Sequence, residues 1–129
     1  MGKKIGDMKE LKEGKYVMVD DEPCRVTKIT KSKPGKHGGA KARVDAVGIF
    51  DGQKRSLMGP ISQKIEIPII DKKTAQVLNI IGSSVQLMDM ESYETFELDM
   101  PDEFKNKLEQ GKELQYMDVL GRKKILGVS

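Results

Sequence analysis

Six basic side chains, Lys28, Lys31, Lys33, Lys36, Lys41 and Arg43, share one stretch with the chain's single histidine, His37, and no acidic residue interrupts them. Like charges held so close repel one another unless a polyanion offsets them. Within the stretch, Pro34-Gly35 and Gly38-Gly39 bracket Lys36-His37, a frame that lets a tight turn present those two side chains outward. One proline and three glycines between Lys31 and Lys41 oppose a regular helix and interrupt any ladder, so residues 31–41 are expected as a loop between two strands. The residues alone leave two readings open: a solvated charged loop, or a loop whose exposed Lys36 faces a polyanion.

Other chemistries fit the sequence poorly. A phosphate-gripping loop needs a glycine, four residues, then Gly-Lys-Ser/Thr opening a helix; here Gly35-Lys36 is followed by His37 and further glycines. Neither Ser32 nor Cys24 has a base nearby in the sequence that would complete a nucleophilic set. Cys24 is alone, which excludes an intrachain disulfide or a cysteine cage, and it is expected as a buried strand residue. His37 cannot hold zinc by itself, and no His-x-x-Glu-His pattern or paired carboxylates supply the rest. An enzyme, a metal site and a small-molecule substrate are therefore not expected.

The 129 residues allow one ordinary domain or two very small ones. With 37% hydrophobic and 33% charged residues and no tryptophan, the composition is that of a globular protein with modest cores. No apolar run approaches the roughly 20 residues that span a bilayer, and the start lacks an apolar signal region, so a cytoplasmic location without membrane contact is expected. Charge is unevenly spread. Residues 1–72 hold 16 Lys and Arg against 10 Asp and Glu, whereas residues 73–129 hold 7 against 10. Contact with a polyanion should fall mainly on the first half.

The elements that must position the loop read as short strands. Tyr16 to Val19 and Cys24 to Thr30 flank the turn Asp20-Asp21-Glu22-Pro23 and predict a hairpin. Ala42 to Phe50, Gln53 to Met58 and Lys64 to Ile69 follow, and five or six strands in this space predict a small barrel over residues 1–70. Pro68 to Lys73 marks the boundary and a short linker, with a second domain over 71–129. There the strands are Thr74 to Ile81, Val85 to Met90, Tyr93 to Leu98, Glu113 to Val119 and Lys123 to Val128. Pro101 to Gly111 predicts one short helix, with Phe104 and Leu108 on one face. Five strands with a helix between the third and fourth is the order of an OB-type barrel. Tyr93, Phe96 and Tyr116 are candidates for a stacking platform, although Asp89, Glu91, Glu94, Glu97 and Asp99 oppose tight RNA contact there. The eight methionines read as adaptable core fillers.

The run Ser32-Lys33-Pro34-Gly35-Lys36-His37-Gly38-Gly39-Ala40-Lys41 resembles the modified loop of hypusine-containing translation initiation factor 5A, a family related to bacterial elongation factor P. The similarity extends over essentially the whole chain. Eukaryotic members commonly read Lys-Thr-Gly-Lys-His-Gly-His-Ala-Lys; Pro34 and Gly39 are closer to archaeal members and leave the Gly-Lys-His-Gly core intact. The resemblance implies a mainly β fold, an SH3-like barrel followed by an OB-fold with one short helix. It implies that Lys36 receives an aminobutyl group from spermidine through deoxyhypusine synthase, giving deoxyhypusine or, after hydroxylation, hypusine, with no other cofactor. Lys33, Pro34, Gly35, His37, Gly38 and Gly39 would present it. Lys28, Lys31, Lys33, Lys41 and Arg43 would meet RNA phosphates. The implied destination is the ribosome, with rRNA and peptidyl-tRNA near the E site, where the arm steadies substrates at stalls such as consecutive prolines.

Overall fold

Apolar residues at alternating positions become the inner faces of strands in the computed structural model, which describes residues 2–32 and 39–128. The chain divides into two compact units, Met1–Ile69 and Ile70–Ser129. In the first, strands β1 (Lys3–Asp7), β2 (Tyr16–Val19), β3 (Glu22–Ser32), β4 (Lys41–Gly48), β5 (Lys54–Pro60) and β6 (Lys64–Pro68) form two antiparallel sheets. The larger has the order β2-β3-β4-β5, and β1 pairs with β6. The alternation predicts β2 to β6. It gives no sign of β1, whose Lys3-Lys4-Ile5-Gly6-Asp7 has little apolar content and becomes a strand because β6 supplies its hydrogen-bond partners.

The β2–β3 hairpin turns on two residues, since Val19 pairs with Glu22 and Asp20 and Asp21 take φ of 51° and 63°. Left-handed values at both central positions match the twist of the flanking strands. Glu22 and Pro23, read as part of the turn, already belong to β3. Along β4 the alternation is complete: Ala42, Val44 and Ala46 are buried while Lys41 and Arg43 are exposed. The buried side chains meet Val17, Val19, Cys24, Val26 and Ile65 in one core that also takes in Met8 and Leu11. Met8 is 2% exposed and fills its gap as an adaptable core methionine should, whereas Met58, at 65%, does not.

The second unit consists of β7 (Asp71–Ile81), β8 (Ser84–Asp89), β9 (Thr95–Asp99), β10 (Glu113–Val119) and β11 (Arg122–Val128), in the order β11-β10-β7-β8-β9. The first strand of the unit is central, flanked by the second and the fourth, as the OB order requires. The Asp71-Lys72-Lys73 triplet, expected as a linker, is the start of β7, where β10 provides its ladder partners. The helix expected over 101–111 shrinks to a single 3-10 turn, Asp102–Phe104. Its bonds run three residues back, Phe104 N–H to Pro101 O and Lys107 N–H to Phe104 O, and the Gly111 N–H is taken by Val77 O at 2.8 Å. So short a segment gains too little to propagate a helix, and the sheet recaptures it. Phe104 and Leu108 are still buried in the second core, with Leu87, Leu114 and Ile125.

Candidate nucleic-acid interface

The basic stretch bridges two adjacent antiparallel strands. β3 ends at Ser32 and β4 begins at Lys41, and these two residues are partners in register. The strands therefore run further toward the loop than residues 31–41 suggested: Lys31, Ser32 and Lys41 are strand residues. On the β4 side the root is tied down by the Ile61 N–H, which donates to Ala40 O at 3.0 Å. Gly39 is described and exposed, and an added Cβ there would meet nothing within 4 Å, so the fold of the described residues does not demand glycine at this position. Lys33, Pro34, Gly35, Lys36, His37 and Gly38 lie outside the described residues.

Register decides which of the remaining cations share a face. Lys28 pairs with Asp45, Thr30 with Arg43 and Ser32 with Lys41. All lie on the side of the sheet opposite the buried Ala42, Val44 and Ala46, because successive residues point to opposite faces. Lys31 pairs with the buried Ala42 and so belongs to the other face, where its side chain is nevertheless exposed. A shift in register between Val26 and Lys28 sets this parity, leaving Thr27 as the extra residue. β5 then adds a cation that the sequence reading did not single out. Lys54 pairs with Val47, Ser56 with Asp45 and Met58 with Arg43, placing Lys54 and Ser56 on the face of Lys28 and Arg43. The period of two in β5 was legible as a pattern, but only its pairing with β4 shows what it adjoins.

Thr27, Lys28, Arg43, Asp45, Val47, Lys54 and Ser56 line a shallow, open depression of about 580 Å³ on this face. Arg43 Nε donates to Asp45 Oδ1 at 3.2 Å, and Thr27 Oγ1 donates to the Asp45 carbonyl at 3.1 Å. Arg55, at the edge, is committed elsewhere. Its two terminal nitrogens donate to the two oxygens of Asp51 at 3.0 and 2.8 Å, and the Gln53 N–H adds a third bond. These donors, Arg55 first, hold the Asp51 carboxyl down at about 2. The pair lies against the backbone of Gly48, where a Cβ would collide with both side chains.

The chain's one thiol is engaged in the fold. Cys24 is fully buried, and its Sγ donates to Glu22 O at 3.3 Å; burial pushes the thiol up from its ordinary value. Among the described residues no group of three or more His, Cys, Asp or Glu could hold a metal ion, and no helix is long and apolar enough to cross a membrane. The aromatic platform in the second unit does not form. Tyr116 is 1% exposed, with its ring 5.0 Å from that of the half-buried Phe96 and its hydroxyl donating to Asp89, while Tyr93 is exposed. Asp89, counted from the sequence among the acids that would repel RNA, is buried and fully engaged by Tyr116 and by the Glu91 and Ser92 N–H groups.

Comparison with known proteins accounts for both units. The family described as "Translation initiation factor 5A-like, N-terminal" matches residues 5–63, and "Eukaryotic elongation factor 5A hypusine, DNA-binding OB fold" matches residues 69–129. Translation initiation factor 5A of Archaeoglobus fulgidus is 55% identical over 92% of this chain and 93% of its own length. That of Methanothermobacter thermautotrophicus is 56% identical over 98% and 97%. Among solved structures, eukaryotic translation initiation factor 5A from Methanococcus jannaschii superposes with a TM-score of 0.93 at 46% identity, over 99% of this chain and 98% of that one. A eukaryotic relative, the translation initiation factor eif-5a family protein of Naegleria fowleri, superposes at 0.78 with 29% identity, covering 100% and 99% of the two chains.

Proposed function

The chain belongs to the translation initiation factor 5A family, a family of protein-biosynthesis factors with an SH3-like barrel and an OB-fold, and from that premise we propose a specific task for it on the ribosome. It binds near the E site and extends a modified Lys36 toward the peptidyl-transferase centre. There the arm steadies the acceptor end of peptidyl-tRNA at stalled sites such as consecutive prolines. Proline is a rigid, poor participant in peptide-bond formation, so holding the reacting ends in place lowers the barrier by orientation alone. The factor makes no bond itself, and the ribosome remains the catalyst.

The observation that carries this reading is the Gly35-Lys36-His37-Gly38 core between two strands whose ends are locked in register at Ser32 and Lys41. Lysine contributes a flexible four-carbon stem with a compact cation; four more carbons and a second nitrogen roughly double its reach and add a charge. The donor is spermidine and the modifying partner is deoxyhypusine synthase, giving deoxyhypusine or hypusine as a covalent group. Lys33, Pro34, Gly35, His37, Gly38 and Gly39 present it with few bulky side chains in the way, and Lys28, Lys31, Lys33, Lys41 and Arg43 pair with phosphates around it. The cytoplasm, where ribosomes work, is its place of action.

Mass spectrometry of the Lys36 peptide from the native source should show an added aminobutyl group, and Lys36→Arg should abolish stimulation of peptide-bond formation on a proline-rich template. An unmodified lysine, or an arginine variant with full activity, would reduce the protein to an RNA-binding module acting by charge alone.

A further inference from the structure

Where the chain enters β4 from the basic loop, one residue of a neighbouring turn holds it. Lys41, the first residue of β4, is the partner of Pro60, the last residue of β5. Proline has no N–H to give, so the next donor toward the loop is Ile61, whose N–H reaches Ala40 O at 3.0 Å. This bond carries the β4–β5 pairing one residue past the ends of both strands.

Ile61 is itself well anchored. Its carbonyl accepts the Lys9 N–H at 3.1 Å, from the 3-10 turn Met8–Glu10, and its side chain packs against the first core. The Gln63 N–H closes the turn on Pro60 O at 2.9 Å, and Gln63 O accepts the N–H of the buried Met8 at 2.9 Å. Gly59 completes the corner, because a Cβ there would collide with the Gln63 side-chain amide. The barrel does not need the bond to Ala40 in order to close. β4 and β5 are already paired from Lys41 to Val47, so what the bond fixes is the course of the chain between loop and strand. The other root, Ser32, is held by its pairing with Lys41.

We propose that Ile61 is a positioning residue for Lys36: its N–H fixes the β4-side root of the loop to the first core and so sets where the lysine is offered to its modifying enzyme. The proposal rests on the reading of Lys36 as the modified residue and adds to it a residue outside the motif. In the transfer, Lys36 Nζ forms a bond to the butyl carbon of spermidine as the spermidine C–N bond breaks. The lysine proton leaves with the diaminopropane released. Ile61 takes no part in that exchange; it lowers the entropy lost when the loop docks.

The test compares Ile61→Pro with Ile61→Ala in the full chain. Both lose the apolar side chain, but only the first loses the N–H, and proline suits the second position of a β-turn such as 60–63. With purified, active deoxyhypusine synthase and labelled spermidine, KM for the protein should be about tenfold higher in Ile61→Pro than in Ile61→Ala, with kcat unchanged, because ordering one freed residue is a loss incurred at docking. Ile61→Val keeps the N–H and most of the side chain and should match the native chain. A residue that merely stabilised the barrel would shift the denaturant midpoint without separating KM from kcat. Trypsin supplies an arm that needs no modification: in the folded protein, cleavage after Lys36 or Lys41 should be faster in Ile61→Pro than in Ile61→Ala. Hydrogen exchange of the native chain needs no variant at all, and the Ile61 amide should be protected on the order of a hundredfold or more relative to the unfolded chain. Equal KM and equal cleavage in the proline and alanine variants, or an unprotected Ile61 amide, would overturn the proposal. A native chain that the synthase leaves unmodified would instead remove the proposed ribosomal task, and the trypsin and exchange arms would still decide whether Ile61 fixes the root.

Discussion

Replacing Tyr116 by phenylalanine removes a single oxygen and should cost the second unit about 2 kcal/mol, because hydrogen bonds to charged groups contribute roughly 1.5–3 kcal/mol. The Tyr116 hydroxyl donates to Asp89 Oδ2 at 2.5 Å, while Asp89 Oδ1 accepts the Glu91 and Ser92 N–H groups at 2.8 Å each. Asp89 is only 3% exposed, so water cannot replace the lost donor. The ring stays in place and keeps its contact with Phe96, which isolates the effect of the hydroxyl. For a domain of this size 1 kcal/mol moves the melting temperature by about 4–8 °C, so a drop of roughly 10 °C is expected. The pH dependence is a second signature. Tyr116 foremost, then the Ser92 N–H, pull the Asp89 carboxyl from 3.8 to about 2 against the opposing effect of burial. A carboxyl depressed in the folded state stabilises fully above its unfolded value, and that contribution is lost as pH falls from 3.8 toward 2. Denaturant unfolding followed by circular dichroism should therefore show the gap between the native protein and Tyr116→Phe open at neutral pH and narrowing by more than half across that window. A gap below about 0.5 kcal/mol at neutral pH, or one of constant size down to the acid end, would refute the reasoning, since bonds to a charged acceptor are expected to exceed that figure.

Two further outcomes follow from local geometry. Leu120 and Gly121 form the two-residue turn between β10 and β11 with φ of 54° and 81°, a conformation that costs a bulky residue about 1–2 kcal/mol; Leu120→Asn creates the favoured Asn-Gly turn and should raise stability by about 0.5–1 kcal/mol in the same unfolding measurement, whereas a loss would mean that the half-exposed leucine packs productively. Cys24, buried and with its thiol pushed up by burial, should resist iodoacetamide in the folded protein and react promptly once unfolded. Rapid labelling under native conditions at neutral pH would contradict the core placement.

The motif that marks this family can be read in the sequence because its message is local. Gly35-Lys36-His37-Gly38 needs no distant partner to be recognised, and the Asp20-Asp21 turn, the alternation of β4 and the burial of Cys24 each depend on neighbours a few positions away. The OB order of the second unit followed likewise from the succession of strands and turns. What the sequence could not give is parity and partnership. Alternation sets Lys28 and Lys31 on opposite faces, but only the extra residue at Thr27 decides which faces outward: without it Lys28 would share the inner face of Val26. Lys54 joins Arg43 only through the β4–β5 register. β1 became a strand because β6 offered it a ladder, the 101–111 segment lost its helix because the sheet claimed Gly111, and Asp89 became a buried anchor because Tyr116 reaches it across 27 positions of chain. A motif is written in consecutive residues, whereas a face is made by hydrogen-bond register between strands, and register exists only once the chain has folded.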